Sequence, residues 1–327
     1  MNTPIPVGLI GLGRHGSRYL RHLIDEETGG QLVAISRQHE DEGRRQAALS
    51  HVQFFPDYRD LIANPAIQAV LVVTPPALNT QIALEAIQHR KAVLLEKPFA
   101  LKAVEGRRIV KAATQAGVPL MTGHTLRYEP VMRKIQEIGE SLGDWKSLSG
   151  TMHLEERHET HTNQGPGLGV LLEFGIHLLD WIRVMMPKES LTVSANMIRS
   201  SPSAPETHAD ITCTTSSGLS FRLDIARVKT KRVTQIEVVG ARGRVRGDWT
   251  SGLVQLCDQE KLIFEETVPP TPTIVLMLKD FFQAIKTGQP MPITGEDGLR
   301  AVELAEACSQ AAQTEQNVYV KAVHSMD

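Results

Sequence analysis

At 327 residues the chain is long for one ordinary domain and comfortable for two, each able to bury its own core. Its 35 basic and 37 acidic side chains leave a formal charge of −2 and are spread along the sequence, so neither a nucleic-acid footprint nor a membrane-surface bias is present. The three cysteines, Cys213, Cys257 and Cys308, are widely spaced with no C-x-x-C, a pattern of reduced thiols in a cytoplasmic protein rather than of a disulfide frame.

The opening MNTPIPVGLIGLG has no basic segment before its apolar run, and the run soon ends in glycines, so neither a signal peptide nor a transmembrane span is expected. From there to residue 125 the short apolar runs VGLIGL, LVAIS, QFF, AVLVVT, AVLLE and PLMTGH alternate with helix-period segments. NTQIALEAIQHR is one such segment, and AVEGRRIVKAATQAG is another, closed by a glycine suited to a helix C-cap. The alternation predicts an α/β domain over 1–125, a Rossmann-like, doubly wound parallel sheet with crossover helices.

Residues 126–327 read as an α+β domain with a largely antiparallel open sheet. EPVMRKIQEIGES has helical spacing and LSGTMHLEE reads as a strand. ITCTTSSGLSFRLDIA reads as a hairpin turning at Ser217-Gly218, and VTQIEVVGARGRVRG as another turning near Gly240. IVLMLKDFFQAIKTG and GEDGLRAVELAEACSQAAQ return to helix, and the basic clusters RVKTKR and ARGRVRG fit solvated strand-edge and turn charges.

Chemistry enters at GLGRHG. Gly11, Gly13 and Gly16 satisfy G-x-G-x-x-G after the first strand and at the opening of a helix, where a pyrophosphate can approach the backbone around Arg14 and His15. At the end of the second strand, where an acidic residue would hold the ribose 2′-hydroxyl of NAD, stand Ser36 and Arg37. A carboxylate there would repel a 2′-phosphate, whereas a hydroxyl beside a guanidinium can hold one, so the reading is NADP in preference to NAD.

LLEKPFAL places Glu96 and Lys97 at the end of the fifth strand, at the sheet edge where open α/β folds bind ligands. A lysine flanked by apolar runs needs a partner, and Pro98 stiffens its turn. In GPGLGVLLEFGIHLLDWIRVMM, a single helix over 170–186 would align Glu173, His177 and Asp180 at i, i+4 and i+7 on an otherwise apolar rod. The two carboxylates could then orient His177 and raise its basicity for acid–base work.

Taken in order, GLGRHG, VVTPPALNTQIALEAI, EKP, GHTLRYEP, the helix bearing Glu173 and His177, IEVVGARGRV and TGEDGLRAVELAEA resemble the glucose-fructose oxidoreductase / inositol dehydrogenase / MocA family over nearly the whole chain. The resemblance implies an N-terminal Rossmann domain, a C-terminal antiparallel sheet, substrate between the two, and hydride exchange between a nicotinamide and a sugar or polyol carbinol. It implies that Lys97 binds and polarises the reacting oxygen and that His177 is the proton donor or acceptor. It sets Thr74, Pro75, Asn79 and Glu96 beside the cofactor, and Arg127 at the mouth of the cleft. Glu173 stands where the family usually has aspartate, Asn79 where it often has histidine, and Thr125 where asparagine is common, so the substrate stays open.

The histidine-rich MHLEERHETHTN sets His158 and His161 about Glu159 as H-E-x-H, not the H-E-x-x-H that puts two histidines on one helical face, so no metal is expected. A dinucleotide-binding sensor of the same fold would be expected to lose Lys97 or His177, and both are present. A biliverdin-reductase-like enzyme would share the fold, but EKP with the histidine favours a carbohydrate substrate. The expected partner is thus a small sugar or polyol, with no nucleic acid and no membrane. Strands such as ITCTT and LSFRLDIA are apolar on alternate positions with mild Ser and Thr between, which predicts a homodimer or homotetramer joined through the C-terminal sheet.

Overall fold

Short runs of Val, Ile, Leu and Ala, buried on both faces, make the strands of the first sheet. The protein is described by a computed structural model over residues 3–156, 167–201, 203–258 and 260–322. Two units emerge, Met1–Thr125 with Pro272–Val302 and Leu126–Thr271 with Glu303–Asp327.

In the first unit β1 (Ile5–Ile10), α1 (Gly16–Asp25), β2 (Gly30–Ser36), α2 (Glu40–Ser50), β3 (Gln53–Phe55) and α3 (Tyr58–Ala63) form one half. β4 (Ala69–Val72), α4 (Pro76–Gln88), β5 (Ala92–Leu95), α5 (Ala103–Ala116) and β6 (Leu120–Thr122) form the other. The strands are parallel throughout in the order β3-β2-β1-β4-β5-β6, the doubly wound order whose reversal between β1 and β4 opens a ligand crevice at the strands' carboxyl ends. α5 stops where predicted, with Gly117 left-handed at φ +63° and its N–H donating to the carbonyls of Ala113 and Thr114.

The remaining elements are α6 (Pro130–Ser141), β7 (Trp145–Glu155), α7 (Ile176–Met185), β8 (Leu191–Arg199), β9 (Glu206–Thr215), β10 (Ser220–Val228) and β11 (Val233–Gly240). They continue through β12 (Gly243–Asp248), β13 (Leu253–Asp258), β14 (Lys261–Thr267), α8 (Thr273–Thr287), α9 (Gly295–Thr314) and β15 (Val318–Val320). The second sheet runs β14-β13-β12-β11-β7-β10-β9-β8-β15 and is antiparallel except for the β7–β10 pair. Both expected hairpins form: β9 and β10 pair up to Thr214 and Ser220 about Gly218, and β11 and β12 close at Gly240 and Gly243.

The units part between Thr125 and Leu126 and again at Pro272, and residues 272–302 fall in the first unit. The cause is close glycine packing that periodicity does not announce. A Cβ on Gly30 would lie 2.3 Å from the Phe282 ring of α8, and one on Gly298 of α9 would lie 2.4 Å from the Thr122 hydroxyl. Thr294 and Asp297 start α9 with reciprocal hydrogen bonds of 2.8 and 3.1 Å, a capping box.

The single helix expected over 170–186 is instead a π-helical turn, Leu171–Gly175, leading into α7. The Glu206 carboxylate accepts the Leu171 N–H at 3.1 Å and is held by Arg199 at 3.2 Å, while Gly175 comes so close to β10 that a Cβ would sit 2.7 Å from Ile225. Anchored at both points, the chain takes a wider turn, the kind often found at functional sites. His158, Glu159 and His161 lie outside the described residues. Among the described residues no cluster of three or more His, Cys, Asp or Glu is arranged to hold a metal, no helix is long and apolar enough to cross a membrane, and all three cysteines are free thiols.

Candidate active site

Beyond Ile10 the chain turns through the glycines at the carboxyl end of β1. Gly11 has φ +92° and gives its N–H to the Ser36 carbonyl at 2.9 Å; a Cβ there would lie 2.4 Å from the Val73 carbonyl oxygen. A Cβ on Gly16 would lie 2.0 Å from the Gly11 oxygen, so α1 can start this near the turn only on glycine. Gly13 has nothing within 4 Å of where its Cβ would be. The turn is therefore tight on its protein side and bare on the other, as a backbone cradle for a pyrophosphate must be, with Arg14 and His15 exposed upon it.

Ser36 ends β2 buried, and its neighbour Arg37 is already engaged. The Arg37 guanidinium donates to Gln46 at 3.0 Å and pairs with Glu42 at 2.8 Å, both on α2; its side chain is 12% exposed and that of Glu42 45%. The guanidinium thus stands at the expected strand end with a carboxylate partner that the sequence reading had not assigned.

At the end of β4, Thr74 donates to the Asn79 side-chain oxygen at 3.1 Å, and Pro75 caps the start of α4. Asn79 is 1% exposed and spends its amide on two carbonyls, Glu96 at 3.2 Å and Pro98 at 3.0 Å. Expected as a cofactor contact, it braces the lysine-bearing turn. Lys97 is half-buried at the end of β5, with a cis peptide bond to Pro98, and its backbone N–H donates to the Glu96 carboxylate at 2.9 Å.

Glu96 is the hub of this end of the sheet. Its buried carboxylate accepts from the Tyr19 hydroxyl on α1 and meets His15 Nε2 at 2.9 Å across 81 residues of sequence. Burial pulls the carboxyl toward its neutral form, but the hydrogen bond and charge of His15, the charge of Lys97 and the Tyr19 bond outweigh it and hold Glu96 below the ordinary carboxylate range. Burial first, and the adjacent Glu96 second, push the Tyr19 phenol well above its usual value, so Tyr19 remains a donor.

In the second unit, Arg127 forms a bidentate pair with Asp180 of α7 at 2.8 and 2.6 Å, and Asp180 is 1% exposed. Glu173, on the π-helical turn, pairs with Arg227 of β10, whose guanidinium lies 5.6 Å from the centre of the Phe174 ring. His177, the second residue of α7 and four positions beyond Glu173, is half-buried. Glu173 thus lies on the π-helical turn while His177 and Asp180 lie on α7, and each carboxylate has an arginine partner.

Sequence reasoning passed over Tyr19 and Arg227. Tyr19 shares the inward face of α1 with Gly16 and Leu23, and a phenol on a buried stripe needs a partner, which was the available signal. Arg227 follows LDIA with no local mark of its role.

A doubly wound parallel sheet with a glycine turn at its switch point, and a lysine clamped at a neighbouring strand end, defines a dinucleotide-dependent oxidoreductase. Residues 5–124 match the oxidoreductase family with an NAD-binding Rossmann fold, and residues 146–321 match that family's C-terminal alpha/beta domain. The chain belongs to this family, that of glucose-fructose oxidoreductase, inositol dehydrogenase and MocA. Similar proteins include a myo-inositol 2-dehydrogenase of Thermotoga maritima, 26% identical over 97% of this chain and 99% of that one. Another is the NADP(+)-dependent scyllo-inositol 2-dehydrogenase of Bacillus subtilis, 22% identical over 97% and 96%. The crystal structure of a probable dehydrogenase from Thermotoga maritima shares the fold at a TM-score of 0.82 and 24% identity, covering 96% of this chain and 98% of that one.

Proposed function

We propose that the protein is a dehydrogenase that prefers NADP(H) to NAD(H) and acts on a carbinol or carbonyl carbon of a sugar or polyol. The observation that carries this reading is the clamp on Lys97: Asn79 binds the carbonyls on either side of it, and Glu96 ties its N–H to the glycine turn through His15. A lysine held rigidly beside a dinucleotide cradle suits an oxygen on which charge develops. The cradle of Gly11, Gly13, Arg14, His15 and Gly16 would hold the pyrophosphate, and Ser36 with Arg37 the 2′-phosphate. The nicotinamide, when bound, gives or takes the hydride. The Lys97 ammonium binds the substrate oxygen and stabilises its negative charge, and His177 exchanges its proton. Asp180 fixes Arg127, and Arg227 fixes Glu173, so that the substrate's other hydroxyls meet groups of set orientation. The inositol dehydrogenases among the relatives support a polyol class.

We infer a homodimer or homotetramer joined through the open face of the second unit's sheet, in the cytoplasm, where its three free thiols would stay reduced. There Thr192, Ser194, Asp210, Thr212, Ser149 and Thr151 alternate with buried neighbours and share the face with the ion pairs Arg222–Asp210 and Arg246–Glu237, polar groups that a second copy could pair with. The functional test is cofactor reduction across polyols, sugars and keto-sugars, with NAD and NADP in parallel. Turnover on a polyol or sugar with NADP favoured is expected. No turnover on any carbinol, with cofactor binding intact, would overturn the reading.

A further inference from the structure

Within the glycine turn, His15 is the residue immediately before α1, whose ten residues begin at Gly16, and its side chain is 44% exposed. The ring does not rest freely on the surface. Nε2 is bound to Glu96 at 2.9 Å, and the ring packs edge-on against Tyr19 at 5.5 Å between centroids. Glu96 already accepts from the Tyr19 hydroxyl and the Lys97 N–H, and an ionised carboxylate offers acceptors only. His15 must therefore donate through Nε2, which fixes its tautomer. With Nε2 committed to the buried carboxylate, Nδ1 is the ring nitrogen left to meet a ligand. In neutral His15 that nitrogen is a bare lone pair, which repels an anion; in protonated His15 it is an N–H, which binds one.

We propose that His15 is a proton-gated ligand of the cofactor's pyrophosphate, locked into register by Glu96, so that cofactor binding takes up a proton and weakens as His15 deprotonates. The charged and titratable groups around it are Glu96 and Tyr19, which its ring meets, Lys97 beside Glu96 and Arg18 beside Tyr19, with Arg14 next to it in the turn. Tyr19 is pushed well above its usual value and remains a donor, and among these residue types histidine is the one whose charge ordinarily changes near neutral pH. The role deepens the cofactor reading above and rests on it. The same contact joins the cofactor cradle to the Lys97 turn, so a filled cradle also steadies the lysine.

The test uses NADH, whose pyrophosphate keeps its charge over this range, whereas the 2′-phosphate of NADPH titrates near pH 6. Its dissociation constant is measured by fluorescence titration of the whole protein from pH 6.5 to 8.5, and proton uptake by calorimetry in two buffers of different ionisation enthalpy. In the unaltered protein affinity should fall about tenfold across the range, the loss of one charge-assisted hydrogen bond, with proton uptake on binding. His15→Gln, which can still donate to Glu96 but cannot be protonated, should bind weakly with a flat profile. His15→Arg, charged throughout, should bind tightly with a flat profile, a rescue that a merely structural histidine would not give. A flat profile in the unaltered protein, or an unchanged slope in His15→Gln, overturns the proton gate while leaving the cofactor reading intact. Failure of NADH and NADPH to bind at any pH overturns both.

Discussion

The proposed preference for NADP implies a competition at Arg37. In the protein as folded its guanidinium is held by Glu42 at 2.8 Å and Gln46 at 3.0 Å. Because Glu42 is 45% exposed, that ion pair is worth about 0–1 kcal/mol after solvent screening. A 2′-phosphate, with three strong acceptor oxygens, offers a charge-assisted contact worth about 1.5–3 kcal/mol. The phosphate should therefore displace Glu42, at a cost smaller than the gain. Arg37→Ala should weaken NADPH binding by about tenfold or more and leave NADH nearly unchanged. Glu42→Gln should do the reverse, tightening NADPH by up to about fivefold by removing the competitor and its negative charge. Fluorescence titration of both variants with both reduced cofactors measures the ratio directly. NADH binding as tightly as NADPH in the unaltered protein, or a ratio insensitive to both substitutions, would refute the assignment of Arg37 to the 2′-phosphate.

Asn79→Ala should lower the stability of the first unit by about 1–3 kcal/mol in thermal or urea unfolding, because it strips a buried donor from the carbonyls of Glu96 and Pro98. Glu96→Gln should cost about 1.5–3 kcal/mol at pH 7. Since the folded Glu96 carboxyl titrates below its unfolded value, its contribution is full above the unfolded pKa and is lost as pH falls through the folded one. The gap between Glu96→Gln and the unaltered protein should thus narrow below about pH 4.3, and urea titrations showing a gap that widens there would contradict the network. Arg127→Met strands the 1% exposed Asp180 and should cost about 3–5 kcal/mol, much of which Arg127→Met with Asp180→Leu should recover. Sedimentation at micromolar concentration should give a dimer or tetramer; monomer alone would exclude assembly through the open sheet face.

Much of the fold was legible because its signals are local. The six apolar runs became the six parallel strands, Gly117 ended its helix, and the turns at Gly218 and Gly240 closed their hairpins. What local pattern does not carry is packing between distant segments. The return of α8 and the start of α9 to the first unit depends on Phe282 filling the space left by Gly30, and the π-helical turn depends on Glu206 and Ile225, more than 30 residues beyond it. The site divides the same way. Lys97 and the glycine turn are contiguous motifs and could be read directly. The partnerships that set their chemistry, His15 and Tyr19 with Glu96, Arg37 with Glu42, and Arg227 with Glu173, join residues on different elements. Residue type gave half of each pair, as in the requirement that a charge at a buried strand end find a partner, and only the fold supplied the other half.

The most direct measurement is the turnover of Lys97→Ala, followed by the absorbance of reduced nicotinamide, on the best polyol or sugar found for the unaltered protein, with NADPH affinity measured alongside. Lys97 is assigned to the reacting oxygen and not to the phosphates, so kcat should fall by about 10² or more while the cofactor dissociation constant changes little. Near-normal kcat would contradict lysine-based stabilisation of the substrate oxygen, and with it the role given to the Asn79 and Glu96 clamp.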